Sequence, residues 1–250
     1  MKKLCFTALL TLAFGSLWAQ QDPSRDELSL VLVKPNVGLY FPGGDLDERF
    51  GPGAIVGLDI AYKLKNNWQF SVSGGHIFGG MVRETDIMRN ITTPSGDIIT
   101  EAGVFEDYRF RQFGWAVYGR VGKVIPVVGP NQNSGLLVQL GYGIMQHKIW
   151  IETPRNNSPQ ISTEYKKGYD RLSNGMSFNP FVGYQHLSDN RLINFYVGVD
   201  FHYGLTQNRR TVNFDTQMPD TRQRSDLMLG LKAGWILPLY KRDEKAMLFY

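Results

Sequence analysis

The sequence predicts an all-β fold, an eight-stranded antiparallel up-and-down transmembrane β-barrel. Three observations predict it. Eight stretches of chain alternate apolar and polar residues with period two. Each runs 11 to 18 residues, where soluble strands average about 5–6 and a membrane-crossing strand needs about 9–11. The connectors alternate between short and long, as in a membrane barrel with tight turns on one rim and extended loops on the other.

The elements follow in order. Residues 30–41 set Val31, Val33, Pro35, Val37, Leu39 and Phe41 against Lys34, Asn36, Gly38 and Tyr40. Residues 54–64 set Ala54, Val56, Leu58, Ile60 and Tyr62 against Gly57, Asp59, Ala61 and Lys63. Residues 68–78 oppose Trp68, Phe70 and Val72 to Gln69, Ser71, Ser73 and Gly75. Residues 108–125 oppose Phe113, Trp115, Val117 and Val121 to Gln112, Gly114, Ala116, Tyr118 and Arg120. The second half repeats the pattern over residues 136–152, 175–187, 191–206 and 226–240. It is cleanest in the seventh stretch, where Phe195, Val197, Val199 and Phe201 alternate with Tyr196, Gly198, Asp200 and His202. Residues 65–67 and 188–190 are short turns, and residues 126–134 are of moderate length. Residues 42–53, 79–107, 153–174 and 207–225 are the long loops.

The apolar faces carry aromatics near both ends. Trp68, Tyr62, Tyr184, Phe195 and Trp235 fall toward the short-turn rim. Phe41, Phe78, Phe113, Phe201 and Tyr203 fall toward the long-loop rim. Of these, Trp68, Tyr184, Trp235, Phe113 and Phe201 are the candidate interfacial aromatics, since such rings settle at headgroup level. A soluble lipocalin-like barrel shows the same alternation with the apolar face inward. Strand length, loop asymmetry and aromatic placement select the membrane barrel.

Composition narrows the classes. The chain has 250 residues and a formal charge of +4, too small an excess for nucleic-acid binding. The mean hydropathy of −0.25 and the lack of a long apolar run after residue 19 exclude a helical membrane protein. Cys5 alone makes no disulfide scaffold. Met1-Lys2-Lys3, an 11-residue apolar run and then Gly15, Ser16 and Ala19 have the three parts of a secretory signal peptide. The expected organisation is a signal peptide over 1–19, a short periplasmic segment over 20–29, the barrel over 30–240 and a tail over 241–250. Cleavage removes Cys5, Lys2 and Lys3, leaving a thiol-free chain of charge +2. The tail reads either as a periplasmic extension or as a barrel-assembly signal ending on Phe249 and Tyr250.

Five charges fall on inward faces: Lys34, Asp59, Arg120, Asp200 and Lys232. Unpaired charge in a narrow lumen is costly, so a paired network is expected. It serves either as a plug that fixes the fold or as a proton or ion path. Asp200 and His202 share one face, with no serine placed to complete a hydrolytic set. The His186-Leu187-Ser188 triplet is similar to a lipid A deacylase motif but sits beside a short turn, on the wrong leaflet. Four scattered histidines without cysteine make no transition-metal site. Residues 42–53 read as a structured connector, lacking phosphate-cradle and calcium-loop spacing. Arg209, Arg210, Arg222 and Arg224 read either as ligands for lipopolysaccharide phosphates or as part of a solvated loop of mixed charge. No catalytic, metal or cofactor residue is assigned.

Three segments carry a family resemblance: VKPNVGLYFPGGDLDERFGPG (residues 33–53), KKGYDRLSNG (166–175) and LMLGLKAGWILPLY (227–240). With them the chain resembles the small outer-membrane β-barrel proteins of the Bacteroidota, a porin-like group. The resemblance implies an outer-membrane location and a group that mixes porin-like proteins, adhesins and secretion accessories. It departs from many such barrels in separating Tyr240 from the terminal aromatics. The expected function is a structural or interaction scaffold at the cell surface and not an enzyme. Its expected partners are outer-membrane lipid and lipopolysaccharide, with an envelope protein as a further partner through loops or turns. Three alternatives stand beside it: an accessory of a secretion or gliding apparatus, a narrow small-solute channel, and an outer-leaflet lipid-modifying enzyme.

Overall fold

The computed structural model describes residues 29–153, 161–188 and 193–239. The expected signal peptide, nearly all of the 20–29 segment and the 241–250 tail lie outside the described residues. Each alternating stretch forms a strand: β1 (Leu30–Gly44), β2 (Gly53–Lys63), β3 (Trp68–Gly79), β6 (Arg109–Ile125), β7 (Gly135–Glu152), β8 (Ser173–Leu187), β9 (Asn194–Asn208) and β10 (Gln223–Trp235). Two-residue strands β4 (Ile98–Ile99) and β5 (Phe105–Glu106) pair within the second long loop. β11 (Leu237–Leu239) prolongs β10. Helix α1 (Asp45–Arg49) follows β1, a 3₁₀ turn spans Asp86–Ile91, and helix α2 (Thr163–Lys166) precedes β8.

Every neighbouring pair in the large sheet is antiparallel, and β10 pairs with both β9 and β1, so the sheet closes into a barrel of eight staves. Pairing traced once round from Val33 passes Ile60, Val72, Gly119, Tyr142, Phe178, Tyr203 and Leu227. It returns to β1 at Gly43, ten residues further along. A stagger of that size over eight strands tilts them by about 40° and leaves a lumen that side chains fill. The seam between β1 and β10 lapses opposite Lys34 and Pro35 and resumes in the same register on β11. Proline has no N–H to give there, and the Ile236 N–H is donated to Asn194 instead.

The faces divide as the alternation predicts. Val197 and Val199 lie exposed on the outside, while Tyr196, Asp200 and His202, on the alternate positions of the same strand, are buried. Phe195 and Phe201 share the outward face. The apolar side of the strands therefore faces away from the lumen, opposite to a lipocalin-like interior.

The lumen differs from the expected polar filling at its two ends. At the short-turn mouth Leu30, Leu32, Ala61, Val124, Leu137, Leu187 and Ile236 close it with an apolar stopper. Beneath the long loops Leu46, Phe50, Ile87, Met88 and Ile98 fold inward onto Ile77, Met145 and Met228. Full burial of each large apolar side chain contributes about 1.5–3 kcal/mol, so these residues hold the loops down. Phe181 also points inward, edge-on to Tyr196 at 5.7 Å. Its ring fits because Gly183 and Gly198 face it: a Cβ at either would come within 2.7 Å of the ring.

Candidate functional site

Four of the five predicted lumen charges meet. Strand alternation aims Asp59 of β2, Arg120 of β6, Asp200 of β9 and Lys232 of β10 at the barrel axis, where all are buried. Lys232 Nζ lies 3.3 and 3.5 Å from the two Asp59 carboxylate oxygens and donates to both. Arg120 lies 3.6 Å from Asp59 and 3.7 Å from Asp200. Its Nε and Nη1 have no hydrogen-bond acceptor in range among the described residues, so charge rather than hydrogen bonding holds it. Tyr196 Oη donates to Asp59 at 2.9 Å. Lys34 stands apart, although it is opposite Asp59 in register. It reaches toward the short-turn mouth and donates to the Gln69 and Gln185 side-chain oxygens at 2.8 and 3.1 Å.

A second chain of contacts joins this cluster. His202 Nδ1 lies 2.9 Å from Tyr118 Oη, and its Nε2 lies 3.1 Å from Asp200 Oδ2. Asn179 Nδ2 donates to Asp200 Oδ1 at 2.9 Å. Both imidazole nitrogens are thus occupied. Ser177 Oγ meets the Tyr118 hydroxyl at 3.1 Å, not the imidazole. A serine-based hydrolytic set needs the serine hydroxyl on the base; here the Tyr118 hydroxyl stands between Ser177 and His202, in a buried hydrogen-bond chain. Nearer the loops, His147 Nε2 lies 2.7 Å from Asp226 Oδ2, which also accepts from Thr206 Oγ1 at 2.5 Å. Phe50 covers that pair edge-on, its ring 5.6 Å from His147. Among the described residues no group of three or more histidine, cysteine, aspartate or glutamate side chains is placed to hold a metal ion.

The feature that sequence reasoning missed is a crown of ion pairs above these layers. Arg49 of α1 binds Glu84 of the second loop at 3.0 Å and donates to the Arg171 carbonyl and Ser173 Oγ of the third. Arg171 in turn binds Glu84 at 2.9 Å and grips Asp215 of the fourth loop with both terminal nitrogens, at 2.9 and 2.6 Å. Asn90 donates to the Asp215 carbonyl at 2.9 Å. Arg222 binds Asp45 at 2.5 Å, and Arg83 binds Asp47 at 2.6 Å. All four long loops are joined by this set.

The four loop arginines read as phosphate ligands or solvated charges are engaged within the crown. Arg210 forks onto Asp170 at 2.8 and 2.5 Å. Arg224 binds Asp220 at 2.8 Å, Arg222 binds Asp45, and Arg209 donates to Asn174. The charges of Asp170 and Asp215 have an electrostatic signature. Burial alone would lower the Arg171 pKa, but the bonds to Asp215 and Glu84 outweigh it and raise it. For Arg210 the hydrogen bonds to Asp170 lead, and its pKa rises as well.

Asp220 gives the crown a pH dependence. Burial alone would raise its pKa. The Arg224 side chain, the Arg222 N–H and the Arg49 charge together pull it below the usual carboxylate value. A lowered pKa in the folded state means stability that is complete above the unfolded value of about 4 and is lost as pH falls through the folded one. Loop protection against hydrogen exchange is therefore expected to stay flat from pH 7 to about 5 and to fall below about pH 4. Asp220→Asn should flatten that fall. An unchanged acid limb in the variant would remove Asp220 from the account.

The candidate interfacial aromatics all lie on the outward face. Trp68, Trp235 and Phe113 are exposed, and Tyr184 and Phe201 are partly covered. Phe113 packs against His76 at 4.5 Å and Trp150 at 5.6 Å. Tyr184 stacks on His186 at 6.4 Å, so the His186 imidazole faces outward among aromatics.

No protein-family model and no curated protein matches the sequence. Solved structures do. The attachment invasion locus protein Ail of Yersinia pestis, solved with the heparin analogue sucrose octasulfate, is 11% identical with a TM-score of 0.38. The match covers 84% of this chain and 99% of Ail. Neisserial surface protein A is 10% identical with a TM-score of 0.40, covering 82% of this chain and 96% of that protein. The closed eight-stranded antiparallel β-barrel of this chain rests on its own strand pairing.

Proposed function

We propose that this chain is an outer-membrane barrel that works as an interaction scaffold at the cell surface, with its loop crown as the working face. The observation that carries the reading is the union of four long loops by Arg49, Glu84, Arg171 and Asp215 over an apolar underside. Loops ordered in this way form a binding face whose ordering cost is met before a partner arrives. The signal peptide read over residues 1–19, the outward apolar wall and the Bacteroidota resemblance support the location. The reading is of a binding protein rather than an enzyme. In support, Asp200 and His202 are spent on Tyr118 and Asn179 beneath the crown.

Photo-cross-linking in intact cells tests it. A cross-linkable residue at the exposed crown positions Phe105 or Met218 should yield a discrete protein or glycan adduct, and one at Leu229 on the barrel wall should not. Adducts at neither crown position would end the scaffold reading. The channel rival has its own assay. The apolar stopper at the short-turn mouth supports silence in planar-bilayer recording at every voltage, and reproducible unitary steps would favour the channel.

A further inference from the structure

An apolar groove of about 550 Å³ runs along the outer wall where β1, β2, β3 and β6 lie side by side. Its walls are Ile60, Tyr62, Phe70, Val72 and Val121. Its floor is Gly119, an outward-facing glycine in a row of large apolar neighbours. A Cβ built at Gly119 meets nothing nearer than the Tyr142 carbonyl oxygen, at 4.0 Å. The groove is therefore open because a side chain is missing, not because packing forbids one. Volumes of about 300–1,000 Å³ are the size class of small-ligand sites.

Charge lies one outward pair beyond the groove lining, toward the short-turn rim. Outward pairs descend from Val72–Gly119 through Phe70–Val121 to Trp68–Lys123 at the short-turn rim. Lys123 Nζ sits 5.8 Å from the Trp68 ring centroid, a cation–π contact. Neither Lys123 nor Lys65 in the adjoining turn pairs with a carboxylate among the described residues. The described part of this rim bears lysines and no carboxylate. The described carboxylates outside the lumen lie at the opposite end, in the loops and upper strand ends from Asp45 to Asp220.

We propose that the groove holds an acyl chain of an anionic glycerophospholipid, with the lipid phosphate at Lys123 and Trp68. The proposal rests on the membrane location given above, which puts the short-turn rim in the periplasmic leaflet. Charge complementarity selects the headgroup: an ammonium with no carboxylate partner among the described residues stands just beyond an apolar slot, and the described part of that rim carries no repelling acid. Lipopolysaccharide would occupy the other leaflet, at the carboxylate-rich end.

Native mass spectrometry of the barrel released from nanodiscs of equal phosphatidylethanolamine and phosphatidylglycerol tests this. One basic residue near an anionic headgroup contributes about 1 kcal/mol, roughly fivefold. The wild-type chain should retain phosphatidylglycerol over phosphatidylethanolamine by about that factor. Lys123→Gln should abolish the preference. Gly119→Val has room for its side chain and should lower retention of both lipids by filling the floor. Equal retention by the wild type, or an undiminished preference in Lys123→Gln, overturns the proposal. Heat-modifiable gel mobility is read on each sample. A wild-type chain that forms no heat-modifiable barrel in the nanodiscs sinks the membrane reading and the site with it. A heat-modifiable barrel indifferent to headgroup sinks the site alone.

Discussion

Asp59→Ala is expected to cost the barrel about 3–5 kcal/mol, the usual loss when one partner of a buried ion pair is removed. The carboxylate accepts from Lys232, Tyr196 and Ser73 and faces Arg120 at 3.6 Å. Without it Lys232 has no carboxylate within pairing distance among the described residues, and of these Arg120 keeps Asp200. The measurement is the urea midpoint of the refolded barrel in detergent, followed by heat-modifiable mobility. The mechanism makes a second demand. If the damage is an uncompensated charge and not a lost contact, removing both members should repair it. Asp59→Leu with Lys232→Met is expected to recover most of the stability, since well-packed apolar pairs often replace buried ion pairs without loss. A single variant within about 1 kcal/mol of wild type, or a double variant no better than the single, would refute the network as a stabilising device.

Arg171→Ala is expected to unlock the crown while leaving the barrel closed. The guanidinium joins Glu84 to Asp215, and through Glu84 it is coupled to Arg49. Breaking it should cost about 3 kcal/mol locally, at the lower end for buried pairs because Glu84 is partly exposed. That is roughly a hundredfold loss of hydrogen-exchange protection in the loops, with the strands unchanged. Backbone strain does not confound the test. Arg171 sits at φ +50°, where alanine and arginine bear the same left-handed penalty. Loss of the crown adducts in the cross-linking assay should accompany the loss of protection. A variant whose loops stay protected would show that the apolar underside holds the crown without the arginine.

Much of the architecture was legible because it follows from a local rule. A period of two puts Val197 and Val199 on one side and Asp200 and His202 on the other, whatever the rest of the chain does. Strand number, direction, the outward apolar wall and the inward charges follow from that rule and from connector length. The apolar stopper at the short-turn mouth had a signal too. Leu32, Val124, Leu137 and Leu187 all occupy the inward parity near that rim, where a purely polar lining would have left an opening.

Partnership depended on long-range geometry. Lys34 lies opposite Asp59 in register yet bonds to Gln69 and Gln185, because a four-carbon stem can choose among neighbours that only the ten-residue stagger brings near. Arg49, Glu84, Arg171 and Asp215 belong to four different loops, and no spacing along the chain relates them. Alternation decides which way a residue points. Barrel closure decides what it meets there, since tilt and stagger set the height of every strand against strands far away in sequence.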